Sequence, residues 1–552
     1  MSQPNDKLES DLALLQDAAA RGPIATLGAW IRLSGPGWLQ SAITLGGGSL
    51  ASSLYLGVLA GFAFLWVQPL FMALGIVMLA AIAWVTLSTG ERPFRAIRQH
   101  VNPVLAWGWA LATLAANVVW SLPQYSLASG VLRQNLAPGL FGPDGSLGDT
   151  GGKLAIVIGV LVLTVALSWS YGAGRAGVKL FELLLKICVG AIVLSFIGVV
   201  LRLANSEQGI EWGAVFAGFV PDLGAFSEPA ATFRPFLDAL GEQGRAFWEA
   251  RIVGEQRDVM IAAAATAVGI NMTFLLPYSL LARGWRREFR GLAAFDLSTG
   301  MLLPFLLATS CVVIASASRF HATPVPGLAS ELGEGQTAPA AKMVGAYEGL
   351  LSARAAHDGV EVASLAEADR ELAAMLVKRD AFDLAQALAP LTGDFFANVI
   401  FGLGVLAMAL STITILMLIS GFVICEMIGV EPEGWAHRLG SLAACSGALG
   451  PFLWSKAAPW LAVPTSVFGM MLLPIAYWTF VLMLNSRSLM GEHKPRGGAL
   501  MAWNALLLPA AAIATAASLW SVNAKAGWKG WVAVGVFLGL AVVYRAKPER
   551  AH

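Results

Sequence analysis

Apolar segments long enough to cross a bilayer follow one another along most of this sequence, and that leaves few folds open. A window of about 19 residues predicts twelve spans, at residues 36–61, 64–88, 102–132, 154–172, 178–202, 259–282, 293–318, 395–428, 437–455, 461–485, 499–521 and 527–545. In hydrocarbon every backbone N–H and C=O must find a partner inside the protein, so segments of this length are helices. The expected fold class is all-α and integral to a membrane. The chain is 57% hydrophobic and 13% charged, with a mean hydropathy of +0.67; a soluble chain carries about 25% charged residues. The span at 102–132 is longer than a bilayer needs and holds Pro123, which predicts a tilt or kink there.

Basic residues orient the bundle. Arg92, Arg95 and Arg98 fall between spans two and three, Arg175 and Lys179 between four and five, and "RGWRREFRG" between six and seven. Arg487, Lys494, Arg496, Arg545, Lys547 and Arg550 follow on the same side. Short basic loops face the cytoplasm, which puts both termini inside an inner (cell) membrane. Residues 1–30 read as a polar cytosolic tail with one short amphipathic helix, not a signal peptide. Residues 31–521 form the core of eleven spans, with external loops at 203–258 and 319–394, and 522–552 hold a twelfth span and a cytosolic end. "VASLAEADRELAAMLVKRDAFDLAQAL", in the second loop, reads as one amphipathic external helix. Cys188, Cys311, Cys425 and Cys445 make no CxxC pair and read as core packing. The net charge of +1 gives no footprint for nucleic acid.

Within the first span, "GPGWLQSAITLGGGSLASSLYLG" places Gly46, Gly47, Gly48 and Ser49 where a membrane helix should be most regular. Non-helical backbone at that depth is tolerated only where it is buried in protein or lines a wet cavity. Span six offers a counterpart in "AVGINMTFLLPYSLLARGW", with Gly269 ahead of Asn271 and Thr273, and Pro277 beyond. Two interruptions five spans apart suit an inverted repeat of five helices with a binding site at the breaks. Intact helices packed through small residues are the plainer alternative.

The same residues resemble the NRAMP divalent-metal transporters, whose first helix has the pattern GPG…A…DPGN…G. "LAPLTGDFFANVIFGLGVLAMALSTITILMLISGFVI" is similar to that family's eighth span, and "LLPIAYWTFVLMLNSRSLMG" to its tenth; Asp296 opens the seventh much as a family Asp does. The resemblance runs from about residue 30 to 520. It implies a LeuT-like inverted repeat of five plus five helices with two extra C-terminal helices, the first and sixth interrupted. The chemistry departs from the pattern. DPGN falls on Gly46, Gly47, Gly48 and Ser49, and MPHN on Asn271, Met272, Thr273 and Phe274. The third-span acids fall on Ser121 and Gln124, the second sixth-span His on Tyr278, and the tenth-span Gln on Ser466. Met272 lies one position from the family's thioether ligand, and a one-residue shift would restore it.

A transition metal stripped of water calls for a carboxylate, and a thioether selects softer ions. The matched positions offer the carbonyl of Gly46 and the neutral oxygens of Ser49, Asn271 and Thr273, and no acid to relay protons. The resemblance leads to the first expectation, a secondary transporter working by alternating access on a divalent cation of Mn or Mg type, without the family's proton coupling. Its substrate site would comprise Gly46, Gly47, Gly48, Ser49, Asn271, Met272, Thr273 and Ser466, with Ser121, Gln124 and Tyr278 at former proton-path positions. The alternative is a carrier of a small solute or anion such as a carboxylate, bicarbonate or an amino acid. It would use free N–H groups where the helix restarts after Gly48, with Trp120, Tyr125, Phe274 and Tyr278 as an apolar wall. A non-transporting membrane relative is the second alternative. No catalytic constellation argues for an enzyme, and "GAGRAG" at 172–177 reads as a turn. No cofactor is expected; the partners are the lipid bilayer and a small ion or solute.

Overall fold

The structure is a computed structural model that describes residues 4–171, 175–207, 209–333, 338–453 and 462–544. Among these, nine helices are individually long and apolar enough to cross a membrane, and ten if one bent pair counts as a single span. That pair is the interrupted first span: Pro36–Thr44 and Gly47–Ala60 meet at 57°. The sixth span is Glu242–Ala267 followed by Ile270–Ala282, with Val268 and Gly269 in extended conformation between them. Both breaks lie where the glycines place them.

Several expected boundaries move for physical reasons. The sixth-span helix starts at Glu242 rather than 259. Its polar first half is held by the i,i+4 pairs Arg245–Glu249 and Arg251–Glu255, which hydropathy does not register. The ninth span is not one regular helix: Gly434–Ser441 passes into a 3₁₀ turn at Leu442–Leu449 and then Gly450–Leu453. Its small residues let it press on the third span, where a Cβ on Gly450 would stand 2.2 Å from the Leu122 carbonyl oxygen. Residues 454–461, the end of that expected span and the start of the tenth, lie outside the described residues, as do 172–174 of the glycine-rich turn. The last two helices, Gly498–Ser521 and Gly527–Val543, are joined by a π-helical stretch at Val522–Ala526. The third span, Pro103–Val131, runs through Pro123 and is capped at its start by the Asn102 side chain.

The segment read as one external helix is three pieces, Val362–Ser364, Glu367–Leu376 and Ala381–Thr392. Asp380 ends the continuity, because its carboxylate accepts the N–H groups of Phe382 and Asp383 and starts a new helix. A further helix, Ala341–Asp358, precedes them. At the N-terminus two helices replace the expected one, Pro4–Arg21 and Pro23–Leu33, divided by Gly22 at φ 107°.

The connecting segments sort onto two faces. On one, Leu8, residues 87–90, the loop 281–288 and His493 border a common cleft. On the other, Thr232 meets His321, Glu255 meets Lys378, and Lys525 meets Asp258. This alternation is the one the basic loops predict.

Candidate functional site

The two breaks face one cavity of about 30 Å³ near the middle of the bundle. Its wall includes Thr44, Gly46, Gly48 and Ser49 from the first span, Asn271 and Met272 from the sixth, and Ser466 from the tenth. Trp120, Pro123 and Gln124 from the third span, Thr266 and Thr412 close it. Six of the eight expected substrate-site residues are therefore brought together. The helix restarts at Gly47, not after Gly48, with Gly46 at the cap.

Each break leaves backbone donors that must be satisfied, and side chains of this chain satisfy them. Ser49 Oγ accepts the Gly46 N–H at 3.1 Å and donates to the Thr44 carbonyl at 2.6 Å. Gln124 Oε1 accepts the Gly47 N–H at 2.9 Å, so this former proton-path position serves as a cap. In span six, Met272 Sδ takes the Gly269 N–H at 3.4 Å and the Thr44 hydroxyl at 3.3 Å. Asn271 Oδ1 accepts the Met272 N–H at 2.9 Å. The donors of Gly46, Gly47, Gly269 and Met272 are thus occupied.

What remains open is of another kind. Thr412 Oγ1 and Asn271 Nδ2 are buried on the cavity wall with no hydrogen-bond partner among the described residues. A Cβ at position 46 would stand 2.5 Å from Thr412 Oγ1, so glycine there keeps the hydroxyl beside the backbone. Gln40 Oε1, also buried and without such a partner, belongs to the side chain whose Nε2 reaches the Met272 carbonyl at 3.3 Å. The Ser466 hydroxyl is spent on the Ala462 carbonyl, leaving its lone pairs at the wall. The half-helices Pro36–Thr44 and Glu242–Ala267 end at the cavity, carrying the partial negative charge of helix C-termini. No carboxylate lines it. Among the described residues no group of three His, Cys, Asp or Glu could hold a metal ion.

Other expected residues lie elsewhere. Thr273 donates to the Ile270 carbonyl and accepts Trp109 Nε1 at 2.9 Å, away from the cavity. Gly47 borders a separate, narrower cavity of about 10 Å³ that leads past Leu50 and Leu54 to Tyr55 and Asp380. Ser121 turns to its own helix at the Val118 carbonyl. Tyr278 stacks on Phe274 at 4.8 Å, which in turn lies 4.4 Å from Trp109. Of the proposed apolar wall, only Trp120 borders the cavity, its indole N–H fixed to the Thr465 carbonyl at 2.7 Å. Thr412 and Thr266 had no motif to mark them; the one signal was a polar cluster, Ser411, Thr412 and Thr414, in the middle of a largely apolar span.

A family model described as natural resistance-associated macrophage protein-like matches residues 37–345 and 362–522. The structure is similar to that of a manganese transporter from Eremococcus coleocola in complex with an aromatic bis-isothiourea substituted compound, with a TM-score of 0.61 and 13% identity. The match covers 94% of this chain and 93% of that one. A mutant of the same transporter matches over equal shares at TM-score 0.51 and 13% identity. No curated protein sequence matches the chain. At that identity the solved structures establish the fold, a LeuT-like bundle with its first and sixth helices interrupted. The chain belongs to the natural resistance-associated macrophage protein-like family of multi-pass membrane transporters.

Proposed function

We propose that this protein is a secondary transporter that carries a divalent transition-metal cation of Mn²⁺ type through the crossing of its two broken spans. It works by alternating access and without the family's usual proton relay. Both termini and the basic loops face the cytoplasm of an inner (cell) membrane. The observation that carries the reading is the wall at the break: the N–H donors of Gly46, Gly47 and Gly269 are taken by Ser49, Gln124 and Met272, and no formal charge stands beside the oxygens and sulfur of that wall. The wall also holds electron-pair donors, namely Thr412 Oγ1, Ser466 Oγ and helix C-terminal carbonyls, with the Met272 sulfur already accepting two hydrogen bonds. A cation entering here would find hydroxyl and carbonyl oxygens and a polarisable thioether. A 30 Å³ cavity has room for about one water, so the wall must replace most of the cargo's hydration. Mg²⁺ resists that exchange.

A neutral solute with a hydrogen-bond acceptor is the second reading. It is favoured by Asn271 Nδ2, a buried donor with no partner among the described residues, and by a wall without formal negative charge.

Uptake into proteoliposomes separates the two. Saturable Mn²⁺ entry, reduced about tenfold by Met272→Ala and by Thr412→Val as one ligand of roughly 1.4 kcal/mol is lost, supports the cation. Entry of Mn²⁺ no faster than into protein-free vesicles rejects it and turns the search to neutral solutes.

A further inference from the structure

The N-terminal helix Pro23–Leu33 exposes the wrong face for a helix in water. Ile24, Leu27 and Ile31 are 86%, 44% and 63% exposed, and at spacings of three and four residues they form one stripe. The opposite side is seated on the protein: Trp30 packs against Phe295 with ring centroids 5.3 Å apart. Gly291 permits the approach, since a Cβ there would lie 3.2 Å from the Trp30 ring. Phe295 belongs to the entry of the seventh span and Pro36 opens the first, so this helix packs beside the ends of both spans. Arg32 borders the stripe, and the neighbouring loop carries Arg286 and Arg287, all exposed.

We propose that Pro23–Leu33 is an interfacial helix that docks on the cytosolic leaflet, with Ile24, Leu27 and Ile31 among the upper acyl chains and Arg32 and Arg286 at anionic headgroups. Apolar burial and anionic attraction together are what such helices require, and basic residues near an anionic surface strengthen the attachment. The contact has a mechanical consequence. Only Ser34 and Gly35 separate this helix from the inner half of the first span. Ser34 Oγ and the N–H groups of Gly35 and Gly37 all bond the buried Asp296 carboxylate. The leaflet therefore holds the segment that must shift if the inner half-helix is to swing. The proposal rests on the cytosolic placement of this face and on nothing about the cargo.

The test uses the full chain in nanodiscs of phosphatidylcholine with and without phosphatidylglycerol, carrying a spin label at Ile24→Cys, Leu27→Cys or Ile31→Cys. Signal from the four native cysteines is subtracted using the parent chain. The three labels should be more accessible to dissolved oxygen than to a water-soluble nickel chelate, and should move deeper when phosphatidylglycerol is present. A label at Asp17→Cys should show the reverse preference. Labels that favour the nickel chelate at all three positions would overturn the docking, and depths indifferent to phosphatidylglycerol would overturn the headgroup contacts. Dipolar broadening between labels would assign the stripe to a second copy of the chain instead. Because no reading involves transport, a failed metal assay leaves this test intact.

Discussion

The centre of the molecule and its outer cap distribute charge in opposite ways. At the centre, the cavity between the broken spans has a wall of glycine, hydroxyl, amide and thioether groups with no formal charge. At the cap, near Tyr55, charged groups crowd together. Lys378 pairs with Glu255 and sits 5.7 Å over the Tyr55 ring. Lys342 bonds Asp380 at 2.7 Å and lies 3.6 Å from Asp383. Arg379 donates to the carbonyls of Phe320 and Thr323. Asp380 reaches the narrow cavity that leads back to Gly47. No titratable side chain lines the central cavity among the described residues, whereas several partly buried ones gather at this cap. Cargo selection and pH response should accordingly reside in different places.

The largest effect expected is at the centre. Gly46→Val would drive a side chain against Thr412 and fill the cavity, so Mn²⁺ uptake should fall to that of protein-free vesicles while the chain still elutes as a folded species. Retained uptake would mean that the cargo passes elsewhere.

At the cap, Lys378→Met should lower thermal stability by about 2–3 kcal/mol. That is less than the roughly 3–5 kcal/mol of a fully buried pair, because Lys378 keeps 24% of its side chain exposed and Glu255 retains Arg251 at 2.8 Å. Calorimetry in detergent would check this, and an unchanged midpoint would show that the Lys378–Glu255 pair contributes nothing to stability.

The pH response has a definite sign. Burial, and then the charge of Asp380, lift Asp383 to about 7, above its ordinary range near 4. The packed cap therefore holds a proton that the unfolded chain would release. Its contribution to stability is full below pH about 4 and is lost as pH rises through about 7. Thermal stability in detergent should thus fall between about pH 5 and about pH 8, and Asp383→Asn should flatten that profile.

The smallest effect belongs to Thr273→Val. Its hydroxyl serves Trp109 rather than the cavity. The apparent KM for Mn²⁺ should therefore change less than about twofold, with about 1–3 kcal/mol of stability lost from the unpaired indole. A tenfold KM change would return Thr273 to the site.

How much of this was legible varies with the kind of information involved. The first break could be read because three glycines and a serine in hydrocarbon have few other uses, and Asn271 and Met272 followed from the matching interruption. Thr273 and Tyr278 were assigned by motif position, but packing takes them: each sits with the Trp109–Phe274 aromatic group. Thr412 carried no local pattern, and only the fold brings it beside Gly46. The charged cap was least visible, since Glu255 on the sixth-span helix and Lys378 in a loop are far apart in sequence and only three-dimensional pairing joins them. Asp380, a helix cap hidden within an amphipathic pattern, is a case where local hydrogen bonding defeats periodicity.

The central claim is that a neutral break carries a divalent cation without a proton. It is tested most directly by recording Mn²⁺ uptake and internal pH together in the same proteoliposomes. Saturable Mn²⁺ entry with no accompanying acidification of the lumen is the predicted result. Mn²⁺ entry that acidifies the lumen in step, or no Mn²⁺ entry at all, would contradict it.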